Sequence, residues 1–392
     1  MSTALPTAAG ETAKRHRRGT HRVCPPEETL ERVRPLFPRL GITRVADLTG
    51  LDLPGVPVFQ AVRPGARSLT VSQGKGLTPA LARVSAVMES LELWHAETIE
   101  LPVVRARVRE MVPRLSYDPR RLMLRHRSFF HDDLLIDWIP ARALLTGDPS
   151  FVPRDYILLD RVVGNRFRPP IFRASSNGLA SGNVPAEAVL HGLCEVVERD
   201  AIARWRNSGG VDEAVVDLDS VDDEGCREVL ERFAGCGIDV AAWDITGPTG
   251  TPAYFAAIYS RDLPKILQGF GCHPDRGIAL SRALTEAAQT RLTVIAGARD
   301  DLPARYSWLS PDADGLIAGV AGANGRVPFR GRASTATDDL DADVRTLAAR
   351  VERQTGFPVV AVDLTRGELE IPVYFAVAPG LTHGLTHGAS RL

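Results

Sequence analysis

One segment occurs three times in this chain, and its internal spacing restricts the fold more than any other feature. Gly41 to Thr49 (GITRVADLT) leads into Pro57 to Val62 (PVFQAV). Gly237 to Thr246 (GIDVAAWDIT) leads into Pro252 to Ala257 (PAYFAA), and Gly356 to Thr365 (GFPVVAVDLT) into Pro372 to Val377 (PVYFAV). A short apolar run ending in Asp-x-Thr, followed by a second run that opens at proline, predicts a strand, a side-chain-bonded turn and another strand. Amphipathic helices over about 27–40, 221–235 and 339–354 precede the copies. The register persists further: Ser85 follows Asp47 by 38 residues, and Arg282 follows Asp244 by 38. We therefore expect helix–strand–strand–helix units at about 27–97, 221–299 and 339–378, and an α/β (α+β) fold with internal pseudo-symmetry and mixed or antiparallel sheets. A second helix for the third unit would fall beyond the C-terminus. The copies are too few and too long for a solenoid. Residues 101–170, rich in arginine and proline, read as mixed strands and loops.

Each register position carries polar side chains at helical spacing. Ser85, Glu89 and Glu92 fall at i, i+4 and i+7, as do Arg282, Glu286 and Gln289. A third set, Asn183, Glu187, Glu195, Glu198 and Arg199, follows a run of glycines and small polar residues from Ser175. Separate apolar stripes, such as Val84, Val87, Met88 and Leu91, let each helix bury one flank and aim its carboxylates along another. A solvated acidic face is the commoner role of glutamate on a helix. Glutamates gathered at one place, however, repel each other unless a cation holds them, and oxygen-only ligands suit Mg²⁺. Asn183 is expected to cap its helix with Pro185 in the first turn, leaving backbone N–H groups for an anion. Lys75, in Gly74-Lys75-Gly76, reads either as facing a phosphate or as a solvated turn lysine, and the run is no P-loop. Arg282 and Glu286 form an ordinary i, i+4 ion pair in the plainer reading, and meet phosphate and metal in the functional one. His95 and His191 are expected to be structural. His383 and His387 have metal-ligand spacing only on a helix, which their glycine neighbours oppose. Neither a G-x-S-x-G elbow nor a Cys–His pair emerges.

Bulk properties exclude several classes. The net charge is −1, which argues against nucleic acid and membrane surfaces as partners. No apolar run has the length of a membrane span, so a cytoplasmic protein is expected. Cys24, Cys194, Cys226, Cys236 and Cys272 lack C-x-x-C spacing, against both a disulfide framework and a zinc site. The basic cluster Lys14 to Arg18 lies in a small, polar N-terminus, read as a flexible arm over 1–18. The main domain is expected over 19–380, with a C-terminal tail at 381–392.

Taken in order, S-x-x-x-E-x-x-E, S-N-G-x-A-x-G-N with E-x-x-E-R, and R-x-x-x-E-x-x-Q resemble the signatures of the YcaO family, across roughly 19–380. The resemblance implies ATP and Mg²⁺ bound without a Walker motif, and phosphorylation of a peptide-backbone amide oxygen to leave an azoline, an amidine or a thioamide. Residue by residue it implies Mg²⁺ at Glu89, Glu92, Glu195 and Glu198. Ser85, Asn183, Glu187, Arg199, Arg282 and Glu286 are implied to contact nucleotide, with Lys75 and Gln289 beside them and Arg22 and Thr29 as the N-terminal basic residue and hydroxyl. Glu195, Glu198 and Arg199 are the expected catalytic set. The sequence as given does not end in the P-x-P-x-P common among azole-forming members, and no fused leader-binding domain is expected. Its GTHR start at Gly19, its GITRVADLTG run and Val71 to Gly76 (VSQGKG) resemble stand-alone members paired with a TfuA protein, which make thioamides from a sulfide donor. The expected partners are a precursor peptide and a TfuA-like or leader-binding protein, and a homodimer is compatible with the sequence. Rival readings are an azoline- or macroamidine-forming enzyme, a silent peptide-binding scaffold, and a housekeeping protein serving ribosomal-protein modification.

Overall fold

A computed structural model describes residues 11–162, 171–208, 214–299 and 326–382. The three repeats fold alike down to individual hydrogen bonds. Asp47, Asp244 and Asp363 end strands β1 (Arg44–Asp47), β9 (Asp239–Asp244) and β13 (Val360–Asp363). Each accepts from the backbone N–H two residues on, at Thr49, Thr246 and Thr365, over 2.9, 3.0 and 2.9 Å. The threonine hydroxyls then accept from Val58, Ala253 and Val373, the first residues of β2 (Val58–Val62), β10 (Ala253–Tyr259) and β14 (Val373–Val377). This Asx-type turn fixes register in all three hairpins, with Asp47 opposite Phe59, Asp244 opposite Tyr254 and Asp363 opposite Tyr374. The preceding helices end at Gly41, Gly237 and Gly356, with φ of 71°, 66° and 76°. Only glycine adopts that conformation without cost, which explains why each repeat begins with it. Those helices are α1 (Pro26–Val33, continued by short turns to Leu40), α4 (Glu224–Gly235) and α6 (Leu340–Thr355).

A third antiparallel strand and a long helix complete each unit. In the first these are β3 (Val71–Lys75) and α2 (Pro79–Glu97), in the second β11 (Leu267–Cys272) and α5 (Arg276–Ala296). In the third they are β7 (Leu179–Ser181) and α3 (Pro185–Ser208), which precede their partner β14 in the chain. The expectation that a third helix would lie past the C-terminus is thus corrected. The unit is closed by an earlier segment, and space rather than chain order defines it. Register confirms the equivalence, since Lys75, Cys272 and Ser181 stand opposite Val58, Ala253 and Val373.

The helices lie directly on these third strands because the strands carry glycine. A Cβ at Gly74 would stand 2.0 Å from the Ala86 nitrogen of α2, and one at Gly271 would stand 2.1 Å from the Ala279 oxygen of α5. In the third unit Gly192 of α3 plays the reverse part, where a Cβ would meet the Gly178 oxygen at 2.5 Å. Between the sheets, Leu193 and Val197 of α3 share one core with Trp243, Phe255, Val344 and Leu347. Aliphatic burial of this kind stabilises by about 1.5–3 kcal/mol per side chain.

The stretch after Ile99 supplies β4 (Val104–Arg107), β5 (Leu135–Ala143) and β6 (Pro149–Pro153), which extend the third unit's sheet through β5 pairing with β13. The arm read as flexible is instead docked over residues 11–18. Ala13 bridges Asp339, and buried Lys14 pairs with Asp343 at the start of α6. A buried carboxylate demands such a partner, which overrides the local composition. At the other end Thr382 donates its N–H to Asp200 over 2.8 Å. His383 and His387 lie outside the described residues. None of the described helices is long and apolar enough to cross a membrane.

Candidate active site

The pseudo-symmetry brings one residue set from each unit to a common centre. Ten residues past Lys75, Cys272 and Ser181 come Ser85, Arg282 and His191; four further come Glu89, Glu286 and Glu195, and three further Glu92, Gln289 and Glu198. Three equivalent helices therefore present three i, i+4, i+7 rows to one cavity of about 520 Å³. Its wall includes every site residue expected from sequence: Arg22, Thr29, Lys75, Ser85, Glu89, Glu92, Asn183, Glu187, Glu195, Glu198, Arg199, Arg282, Glu286 and Gln289. Glycine-bearing strands hold the helices close, and the wide acidic row is the result.

Backbone N–H groups anchor three of the carboxylates. Glu89 accepts from Gln73 N–H at 2.9 Å, Glu92 from the Ser181 N–H and hydroxyl at 2.8 and 2.7 Å, and Glu195 from Gly178 N–H at 3.2 Å. Glu198, only 4% exposed, has Arg199 at 3.6 Å, which also reaches Glu195 at 3.7 Å. Burial dominates their protonation: it raises Glu89 and Glu195, and pushes Glu92 up to about 8 and Glu198 to about 7. Glu286 behaves oppositely. Burial would raise it, but Lys75 Nζ at 2.5 Å and the Arg199 charge outweigh burial and hold it below the usual carboxylate range.

Glu187 gathers the N-terminal segment onto the cavity wall. It accepts from Val23 N–H at 2.6 Å and from Asn183 N–H and Nδ2 at 2.8 and 3.0 Å, with Arg22 at 3.7 Å. Thr29 donates to Asn183 Oδ1 over 2.9 Å. Because α3 begins at Pro185, Val184 occupies the capping position. The Asn183 side chain links Thr29 to Glu187 rather than capping the helix, which corrects the sequence expectation by one residue.

Two groups escaped the motif reading. His191 is the third-unit equivalent of Ser85 and Arg282, and its Nε2 accepts from Arg282 Nη2 at 3.1 Å. Burial, reinforced by the Arg282, Arg22 and Lys75 charges, holds it well below the ordinary histidine range, so it is neutral. Its spacing of four and seven residues to Glu195 and Glu198 was the available signal. Arg299, just past α5, lines the cavity and lowers Glu89 against the effect of burial. No helical spacing marks it.

The donor chemistry fits a divalent cation and a polyphosphate. Glu89, Glu92, Glu195 and Glu198 line one cavity with Lys75, Arg199, Arg282 and Arg22, and the buried Arg282 Nε has no partner among the described residues. Among the described residues no three carboxylates, imidazoles or thiols converge as a ready-made chelate. The burial that raises Glu89, Glu92, Glu195 and Glu198 is what a bound cation would offset.

A pH dependence follows. Glu92 and Glu198 bind protons more tightly in the folded chain than at the unfolded carboxyl value near 4.3, so their stabilisation is complete below that pH and is lost as pH rises through about 7 and 8. His21 and His95, lowered to about 4 chiefly by burial, act in the opposite sense and finish titrating below about pH 6.5. Without divalent cation, the melting temperature is expected to fall between about pH 6.5 and about pH 8. Glu92→Gln should flatten that decline, as followed by thermal circular dichroism; an unchanged slope would reject the raised carboxyl.

Fold and cavity together define an α+β protein with a carboxylate-rich, cation-flanked pocket at a pseudo-threefold centre. The profile described as YcaO cyclodehydratase, ATP- and Mg²⁺-binding, matches residues 73–382. The chain belongs to the YcaO family. An uncharacterized Mycobacterium tuberculosis protein is 38% identical over 379 residues, covering 95% of this chain and 85% of the relative. A protein from the tfuA 3′ region of Rhizobium leguminosarum bv. trifolii is 35% identical over 402 residues, covering 97% and 93%. The structure of YcaO from Methanopyrus kandleri bound with AMPPCP and Mg²⁺ is similar in fold, with a TM-score of 0.76 at 23% identity over 95% of each chain.

Proposed function

We propose that this chain uses ATP and Mg²⁺ to activate a backbone amide of a ribosomally made peptide, with sulfide as the nucleophile and a thioamide as the product. The observation that carries the reading is the convergence on one cavity of three equivalent rows of three side chains, together with Arg22, Thr29, Lys75, Asn183, Glu187 and Arg199. Glu89, Glu92, Glu195 and Glu198 would hold Mg²⁺, and Arg282, Arg199 and Lys75 would take the phosphates. Ser85, Asn183, Glu187, Glu286, Gln289, Arg22 and Thr29 complete the nucleotide's surroundings. Bound Mg²⁺ offsets charge on the phosphoryl group in transfer. An amide oxygen leaves poorly as hydroxide and readily as phosphate. The protein's part is therefore positioning and charge, and no side-chain nucleophile is needed.

The thioamide reading draws on the relative encoded beside tfuA, which also makes a TfuA-like protein the proposed partner, in the cytoplasm. The family description as a cyclodehydratase favours a second reading, in which a Cys, Ser or Thr side chain attacks and an azoline forms. Purified chain, ATP, Mg²⁺, sulfide and the cognate precursor should yield a product heavier by about 16 Da, the exchange of oxygen for sulfur at the activated carbon. A product lighter by about 18 Da would assign the azoline instead, since water is then lost. No phosphate release with any precursor would sink both.

A further inference from the structure

Among the described residues of the segment between α2 and β7, none between Leu93 and Ser176 lines the cavity. Its own core of Val108, Met111 and Trp138 supports an addition to the third sheet. Its charge is distinctive. Residues 101–173 hold fourteen arginines against eight acidic residues, a net of +6 in a chain whose total is −1, so the remainder carries −7. Part of that charge is neutralised within the segment, by Arg105 with Asp137, Arg109 with Asp133 and Arg120 with Asp132. Arg125, Arg127 and Arg173 are exposed and make no ion pair among the described residues.

These three arginines lie together. Arg125 donates its N–H to the Ile171 oxygen at 3.0 Å, Arg173 donates to the Met123 oxygen at 3.0 Å, and the Ser128 hydroxyl donates to the Ile171 oxygen at 2.9 Å. The loop between them holds Arg127 at φ 58° and leaves Phe129 75% exposed, beside Phe130, which packs on Phe172. A left-handed arginine and a bared phenylalanine are both unfavourable unless something uses them. From Arg173 the chain reaches the cavity wall at Ser176 in three residues, within about 10 Å of chain length.

We propose that this loop, centred on Arg125, Arg127, Phe129 and Arg173, is the docking surface for an acidic, aromatic-containing stretch of the peptide substrate. An acidic peptide is repelled by the remainder of the chain and attracted here, so charge both selects the partner and locates it. The exposed ring gives the contact an apolar anchor. Docking beside the cavity raises the local concentration of the segment to be modified. This deepens the proposed function by naming what the substrate carries outside its reacting amide.

The test uses the full chain and a labelled acidic peptide of glutamates with one central phenylalanine. Fluorescence anisotropy measures its binding without nucleotide, and AMPPCP·Mg²⁺ binding is measured separately by calorimetry. The double variant R125E/R127E should weaken peptide binding at least about tenfold and reduce its salt dependence, with AMPPCP binding unchanged. F129A should weaken the peptide several-fold with the salt dependence retained. Peptide binding indifferent to both changes, or a single-stranded RNA of equal length bound more tightly at the same loop, would overturn the proposal. Loss of AMPPCP binding by the wild-type chain would instead overturn the nucleotide reading, and the anisotropy result would stand apart from it.

Discussion

Glu198→Gln is expected to reduce ATP-dependent phosphate release by about 10³-fold, the scale of several kcal/mol of lost charge stabilisation. The substitution preserves shape at a position only 4% exposed, so its effect is electrical. Arg199 lies 3.6 Å from Glu198, and the Glu286 charge is among those felt at its carboxyl. An amide there can neither bind a cation strongly nor balance Arg199. Circular dichroism should show an unaltered fold, which separates lost chemistry from lost structure. Turnover within tenfold of the wild type in a well-folded variant would remove Glu198 from the proposed metal site.

The largest effect on stability is expected at Gly271. A valine there sets its Cβ 2.1 Å from the Ala279 oxygen and 2.7 Å from the Ala283 nitrogen, both in the backbone of α5. No side chain can swing aside, so the helix itself must lift. The variant is expected to lose about 3 kcal/mol or more in urea unfolding, the upper range for overpacking. Since α5 carries Arg282, Glu286 and Gln289, AMPPCP binding should weaken in parallel. Gly367→Val, where nothing lies within 4 Å of the added Cβ, is the matched control and should change stability by at most about 0.5 kcal/mol. Equal behaviour of the two variants would contradict the direct packing of helix on strand.

Much of this architecture can be read in the sequence because its signals are local. The Asp-x-Thr turns and the glycines before them act within a few residues, and all three hairpins form as expected. The helical rows are equally local, and Glu89 with Glu92 or Arg282 with Glu286 could be grouped from spacing alone. What spacing could not supply was assembly across distance. Nothing short-range indicates that β7 lies beside β14, nearly 200 residues later, so chain order alone points to the wrong place for the third unit's helix. For the same reason His191 looked solitary, although it occupies the position of Ser85 and Arg282. Lys14 misled in the other direction. A run of basic residues in a polar stretch reads as solvated, and only the buried Asp343 on a distant helix shows why it is not.

The late arrival of β14 bears on how the protein is made. In chain order β7 and α3 are synthesised well before β14, the strand that must slot between β13 and β7. Glu195 and Glu198 thus lack the strand behind β7 until β14 has been made, and a nascent chain stopped before Val373 would hold two of the three rows without the means to seat the third.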